Sequence, residues 1–68
     1  MAGDKFPLFT RVKHVKTNAV YEIRGTPSRF TLEATGETAY VYTIADMPNA
    51  PLWIREKSQM EDGRFVKA

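Results

Sequence analysis

Glycine and proline divide this 68-residue chain into short pieces. Pro7, Gly25, Pro27, Gly36, Pro48, Pro51 and Gly63 leave segments of strand length between them, and both residue types disfavour the interior of a helix or a central strand. The residues that fill the segments agree with strands. Val, Ile and Thr number fifteen, and with the eight aromatics the β-favouring set reaches 23 of 68, against three leucines. The chain has no cysteine, which removes disulfide staples, thiolate zinc sites and cysteine nucleophiles together. Its core must come from the large apolar side chains of one small domain.

Leu8 to Lys16 and Val20 to Arg24 flank Thr17-Asn18-Ala19. Asn tolerates the left-handed backbone of a tight turn, so the pattern predicts a hairpin centred on Asn18-Ala19. In the return strand Tyr21 and Ile23 share one face, with Val20, Glu22 and Arg24 on the other. Leu8, Val12, Val15, Ala19 and Ile23 also fall at helical spacing, but the Val and Thr content, the Thr17-Asn18 pair and the missing caps favour strands. Phe30 and Leu32 alternate with Arg29, Thr31 and Glu33 as a third strand, ended by Thr35-Gly36-Glu37. Thr38 to Ile44 carries the strongest strand signal. Tyr40, Tyr42 and Ile44 line one face and Ala39, Val41 and Thr43 the other, a pattern that predicts a central strand.

Ala45 to Pro51 reads as a loop, and Leu52-Trp53-Ile54 reads in two ways. It opens a helix, with Pro51 at the first position and Gly63 as the stop, or it is a strand buried on both sides. Ser58 with Glu61 has capping-box spacing and predicts one helical turn. Asp62-Gly63 is then a turn and Arg64 to Lys67 a short last strand. Together these elements predict an all-β fold: a small SH3-like barrel of five or six antiparallel strands, with one helical turn before the last strand. It would occupy residues 8–67 behind a flexible N-terminal segment, 1–7.

Three motifs carry a family resemblance. His14, Lys16, Tyr21, Glu22 and Ile23 form the first, Tyr40-Val41-Tyr42 the second, and Leu52-Trp53-Ile54-Arg55 with Ser58, Met60, Asp62, Gly63, Arg64 and Phe65 the third. In their order and spacing, over about residues 12 to 66, they resemble a family of small bacterial and phage proteins of unknown function. Asn18-Ala19 stands where that family's hairpin leads one to expect glycine. The resemblance implies an SH3-like β-fold and brings no activity, cofactor or catalytic residue.

Charge is uneven along the chain. From Lys5 to Arg29 the six cations Lys5, Arg11, Lys13, Lys16, Arg24 and Arg29 meet only Glu22, while residues 30–68 carry more acids than bases, and with Asp4 the overall net charge is +2. Arg11 and Lys13 lie two apart and project from one face of a strand. With Lys16, Arg24 and Arg29, and with Tyr21 and Trp53 as aromatic surfaces, they are the candidate binding residues. Trp53 reads first as core or half-core, and otherwise as a platform for a base or a proline ring. The same cations also suit a solvated face that protects a strand edge.

His14 with Glu22 is the one pair that suggests acid–base chemistry, since the predicted hairpin sets them roughly opposite. A cross-strand hydrogen bond explains the pair more simply. No phosphate loop, nucleophile triad or metal-ligand spacing is present, so no enzyme, metal or cofactor is expected. No run of apolar residues approaches a membrane span, nor does the N-terminus resemble a secretory signal, so a soluble cytoplasmic protein is expected. The expectation is a non-catalytic binding module, a nucleic-acid-binding accessory protein that uses the basic N-terminal hairpin. The alternative is a protein–protein interaction module, phage-related, that takes a peptide or a subunit through an aromatic groove or a strand edge. Oligomeric state stays open.

Overall fold

The Thr38–Ile44 signal becomes a strand with a neighbour on each side. In the computed structural model, which describes residues 4–47 and 49–68, five strands form one antiparallel sheet. They are β1 (Arg11–His14), β2 (Val20–Gly25), β3 (Ala39–Ile44), β4 (Trp53–Glu56) and β5 (Phe65–Lys67), with a single helical turn, α1 (Lys57–Met60), before β5. The spatial order is β4-β3-β2-β1-β5. The fold is small and mostly β, as the alternation predicts.

The β1–β2 hairpin turns where expected. Asn18 takes the left-handed φ of 63°, and the His14 N–H donates to the Ala19 carbonyl at 2.9 Å. The first strand is shorter than the predicted Leu8–Lys16, because Phe9 also sits at a positive φ of 65° and Thr10 closes a turn back to Pro7.

Alternation then fixes two faces. Val12, Ile23, Tyr40, Tyr42 and Phe65 point into one core, which Phe6 and Met60 complete from outside the sheet. Phe6, assigned by sequence to the N-terminal segment, is fully buried, and its N–H donates to the Tyr40 hydroxyl at 3.1 Å. That hydroxyl in turn donates to Glu61 at 2.5 Å. Residues 1–3 of that segment, and Pro48 of the loop, lie outside the described residues.

The opposite face of β3 is covered by its neighbouring loops. Ala39 donates to the Phe30 carbonyl, and Thr43 Oγ1 donates to the Pro51 carbonyl at 3.0 Å. Phe30 also explains Gly25: a Cβ there would run into the Phe30 ring. Glycine at this bulge is a matter of space.

Four expectations need correction. The third strand, Arg29 to Glu33, is reduced to a lone bridge between Thr31 and Thr38, because turns at Thr26 and Leu32 consume the residues on either side. The sheet stays open, with β4 and β5 as unpaired edges. Trp53 is not core: β4 is an edge strand, and Leu52, Trp53 and Ile54 are all exposed. The Ser58–Glu61 capping box does not form, since the turn begins at Lys57 with Glu56 at the cap and no side-chain cap bond. What holds the turn is Met60, driven into the core.

Candidate functional site

The basic hairpin resolves into two separate faces. Pairing of Arg11 with Glu22, and of Lys13 with Val20, puts Arg11, Lys13, Glu22 and Arg24 on the face away from the core. That much agrees with the predicted patch. Its charges, however, are largely neutralised. Arg11 holds Asp46 in a bidentate pair at 2.6 and 3.0 Å, and Arg24 binds Glu22 at 2.6 Å. The hydrogen bonds and charge of Arg11 hold the Asp46 carboxyl below its usual range. Tyr21 lies on the other face, among the core aromatics, so no tyrosine adjoins these cations. Arg29 lines a depression together with Arg24, Leu8, Thr26 and Phe30, on the far side of Arg24 from Arg11 and Asp46.

The same parity separates His14 from Glu22. Val12 and His14 face the core side, and Glu22 pairs with Arg11 on the other. His14 instead meets Thr17 Oγ1 through Nδ1 at 3.3 Å and sits edge-on to Phe65, centroids 4.9 Å apart. The acid–base pair is not assembled. Among the described residues no group of three or more His, Asp and Glu side chains could hold a metal ion, and no helix is long and apolar enough to cross a membrane.

A different site forms where the open sheet brings its two edges together. On the core side, Trp53 of β4 lies opposite Tyr42 in the ladder, and Arg55 opposite Tyr40. Tyr21 and Tyr42 meet edge-to-face at 5.2 Å, and Phe65 of β5 packs against both. Arg55 reaches over Phe65, its guanidinium carbon 5.6 Å from the ring centroid, and its Nε donates to the Tyr42 hydroxyl at 3.4 Å. His14, Tyr21, Tyr42, Trp53, Arg55 and Phe65 therefore line one aromatic hollow.

A second hollow of about 610 Å³ shares His14 and Arg55 with the first and continues it between Lys16 and Arg64. The Val15 N–H donates to the Arg64 carbonyl at 2.9 Å, which ties the β1–β2 turn to the turn before β5 and brings Lys16 to Arg64. Arg64 pairs with Asp62 at 3.3 Å. The four ion pairs among the described residues leave Lys16 and Arg55 without a carboxylate. The result is a continuous open cleft with an aromatic wall, with Lys16 and Arg55 free of carboxylates and Arg64 sharing its charge with Asp62 at the rim.

Of the residues singled out by sequence, this cleft brings together Lys16, Tyr21 and Trp53, and leaves out Arg11, Lys13, Arg24 and Arg29. Sequence reasoning missed Arg55 and Arg64 as binding residues, because both belong to the half of the chain with an acidic balance. Their spacing from Trp53 and Phe65, at positions 53/55 and 64/65, was the available signal.

No protein-family model matches the chain, and neither a curated protein nor a solved structure matches it.

Proposed function

We propose that this chain is a non-catalytic binding module that holds single-stranded nucleic acid in the cleft between β4 and β5. Phosphates would meet Lys16, Arg55 and Arg64, while bases stack on Trp53 and the neighbouring aromatic edges. The observation that carries this reading is the junction of three rim cations with an aromatic wall in one open cleft. Backbone-tracking charge combined with aromatic stacking is how proteins hold single strands with little sequence preference. We place the site at the cleft and not at the N-terminal hairpin because Lys16 and Arg55 have no carboxylate among the described residues, with only Arg64 paired, whereas Arg11 and Arg24 are both paired.

We read the fold as an SH3-like barrel left open at one seam. Strand order, the helical turn ahead of the last strand and Arg55 bridging the β4–β5 gap support that reading.

The test is anisotropy of a fluorescein-labelled single-stranded oligonucleotide at low salt, with duplex of the same sequence as competitor. Charge reversal at Lys16 and Arg64 should abolish binding, whereas reversal at Arg11 and Lys13 should leave most of it. The opposite ranking would return the site to the hairpin, and no binding by the wild type would dismiss a nucleic-acid ligand.

A further inference from the structure

The two edges of the sheet are built differently. β5 offers three residues with Lys67 at its end, a short and charged edge. β4 leaves Leu52, Trp53 and Ile54 exposed by 62%, 53% and 59%. A bare, apolar strand edge is what monomeric proteins avoid.

The β3–β4 ladder shows which backbone groups are free. The Lys57 N–H donates to the Thr38 carbonyl at 2.9 Å. Antiparallel alternation then makes Arg55–Tyr40 and Trp53–Tyr42 hydrogen-bonded pairs. The N–H and C=O groups of Leu52 and Ile54 and the N–H of Glu56 point out of the sheet, while the Glu56 carbonyl, at the cap of α1, accepts the first bond of the helical turn.

We propose that this edge binds the same edge of a second copy, antiparallel, about a twofold axis at Ile54. An axis normal to the sheet preserves its faces, so odd positions meet odd and even meet even. With the axis at Ile54, Ile54 exchanges both of its backbone bonds with its copy, and each Glu56 N–H donates to the partner copy's Leu52 carbonyl. Each Arg55 then lies beside the partner copy's tryptophan ring, a cation–π arrangement with no like charges opposed. An axis at Arg55 would set the two guanidiniums against each other. An axis at Trp53 would pair Glu56 with Ala50, whose N–H is already given to Met47. The dimer is argued from the backbone edge and Ile54, so it does not rest on the nucleic-acid reading, although it shares Trp53 and Arg55 with the cleft.

Sedimentation equilibrium of the full chain should give twice the 7.8 kDa chain mass, and Ile54→Lys should return the monomer mass with an unchanged far-UV circular dichroism spectrum. Because the chain has no cysteine of its own, an introduced one reports the register. Hydrogen-bonded antiparallel pairs hold Cα atoms about 5.5 Å apart, within disulfide range. Ile54→Cys should therefore form a covalent dimer on oxidation, far faster than Trp53→Cys or Arg55→Cys, and this decides the matter even if Ile54→Lys does not fold. A monomer at every concentration, a dimer that survives Ile54→Lys, or preferential cross-linking at Trp53→Cys or Arg55→Cys would overturn the proposal.

Discussion

Arg55 on one edge strand lies over the ring of Phe65 on the other, 5.6 Å from its centroid, across a gap that no backbone ladder closes. A side chain thus does at this seam what hydrogen bonds do elsewhere in the sheet. The same guanidinium faces the cleft, so one residue joins the two edges and, under the proposed function, would supply a cation for a ligand.

Arg55→Lys keeps the charge but loses the planar face that stacks on Phe65 and the fork that reaches Tyr42. We expect a loss of about 0.5–2 kcal/mol in urea unfolding and weaker oligonucleotide binding. Full binding by Arg55→Lys would show that charge alone suffices there.

Tyr40 is the polar anchor of the core, and Trp53 is an exposed edge residue. Tyr40→Phe leaves the buried Phe6 N–H without an acceptor and should cost about 1–3 kcal/mol. Trp53→Ala should cost less than about 1 kcal/mol, well below the ~3–5 kcal/mol of a buried aromatic truncation. Denaturant midpoints for the two variants check this ranking. A reversed order would place Trp53 in the core.

Burial, and next the hydrogen bond to Glu61, push the Tyr40 phenol well above its ordinary value of 10.0. The folded state thus favours the protonated phenol. Its contribution is complete below about pH 10 and is lost as pH rises beyond it toward the folded value. The stability gap between wild type and Tyr40→Phe should accordingly narrow above pH 10, measured by urea unfolding at stepped pH. A gap that widens there would contradict the raised pKa.

Gly25→Ala drives a methyl group into the Phe30 ring. We expect a cost of about 1–3 kcal/mol, relieved in the Phe30→Ala background by a coupling of about 1 kcal/mol. Additive effects would mean that the bulge, and not Phe30, excludes the side chain.

Strand positions were legible where alternation was long and bounded, as in Tyr21/Ile23 and Tyr40/Tyr42/Ile44. The hairpin turn was legible in Asn18. Period-two spacing at Phe30 and Leu32 misled because it covered too few residues to outweigh the turns on both sides. Leu52-Trp53-Ile54 misled for another reason: hydrophobicity reports what a side chain prefers, and cannot tell a central strand from an edge awaiting a partner. The hairpin cations Arg11 and Lys13 were placed on one face correctly, but the Asp46 that neutralises Arg11 is distant in sequence and only folding brings it near. Arg55 and Arg64 became part of the cleft through the β1–β5 pairing, which no local pattern encodes.

The cleft is tested most directly by titrating the protein with a single-stranded oligonucleotide while following the fluorescence of Trp53, the chain's single tryptophan. Stacking of a base on the ring should quench the emission. If Lys16, Arg55 and Arg64 each displace one counterion, the logarithm of the binding constant should fall against the logarithm of salt with a slope of roughly −2. Unchanged emission at saturation, or binding indifferent to salt, would contradict a nucleic-acid cleft between the edge strands.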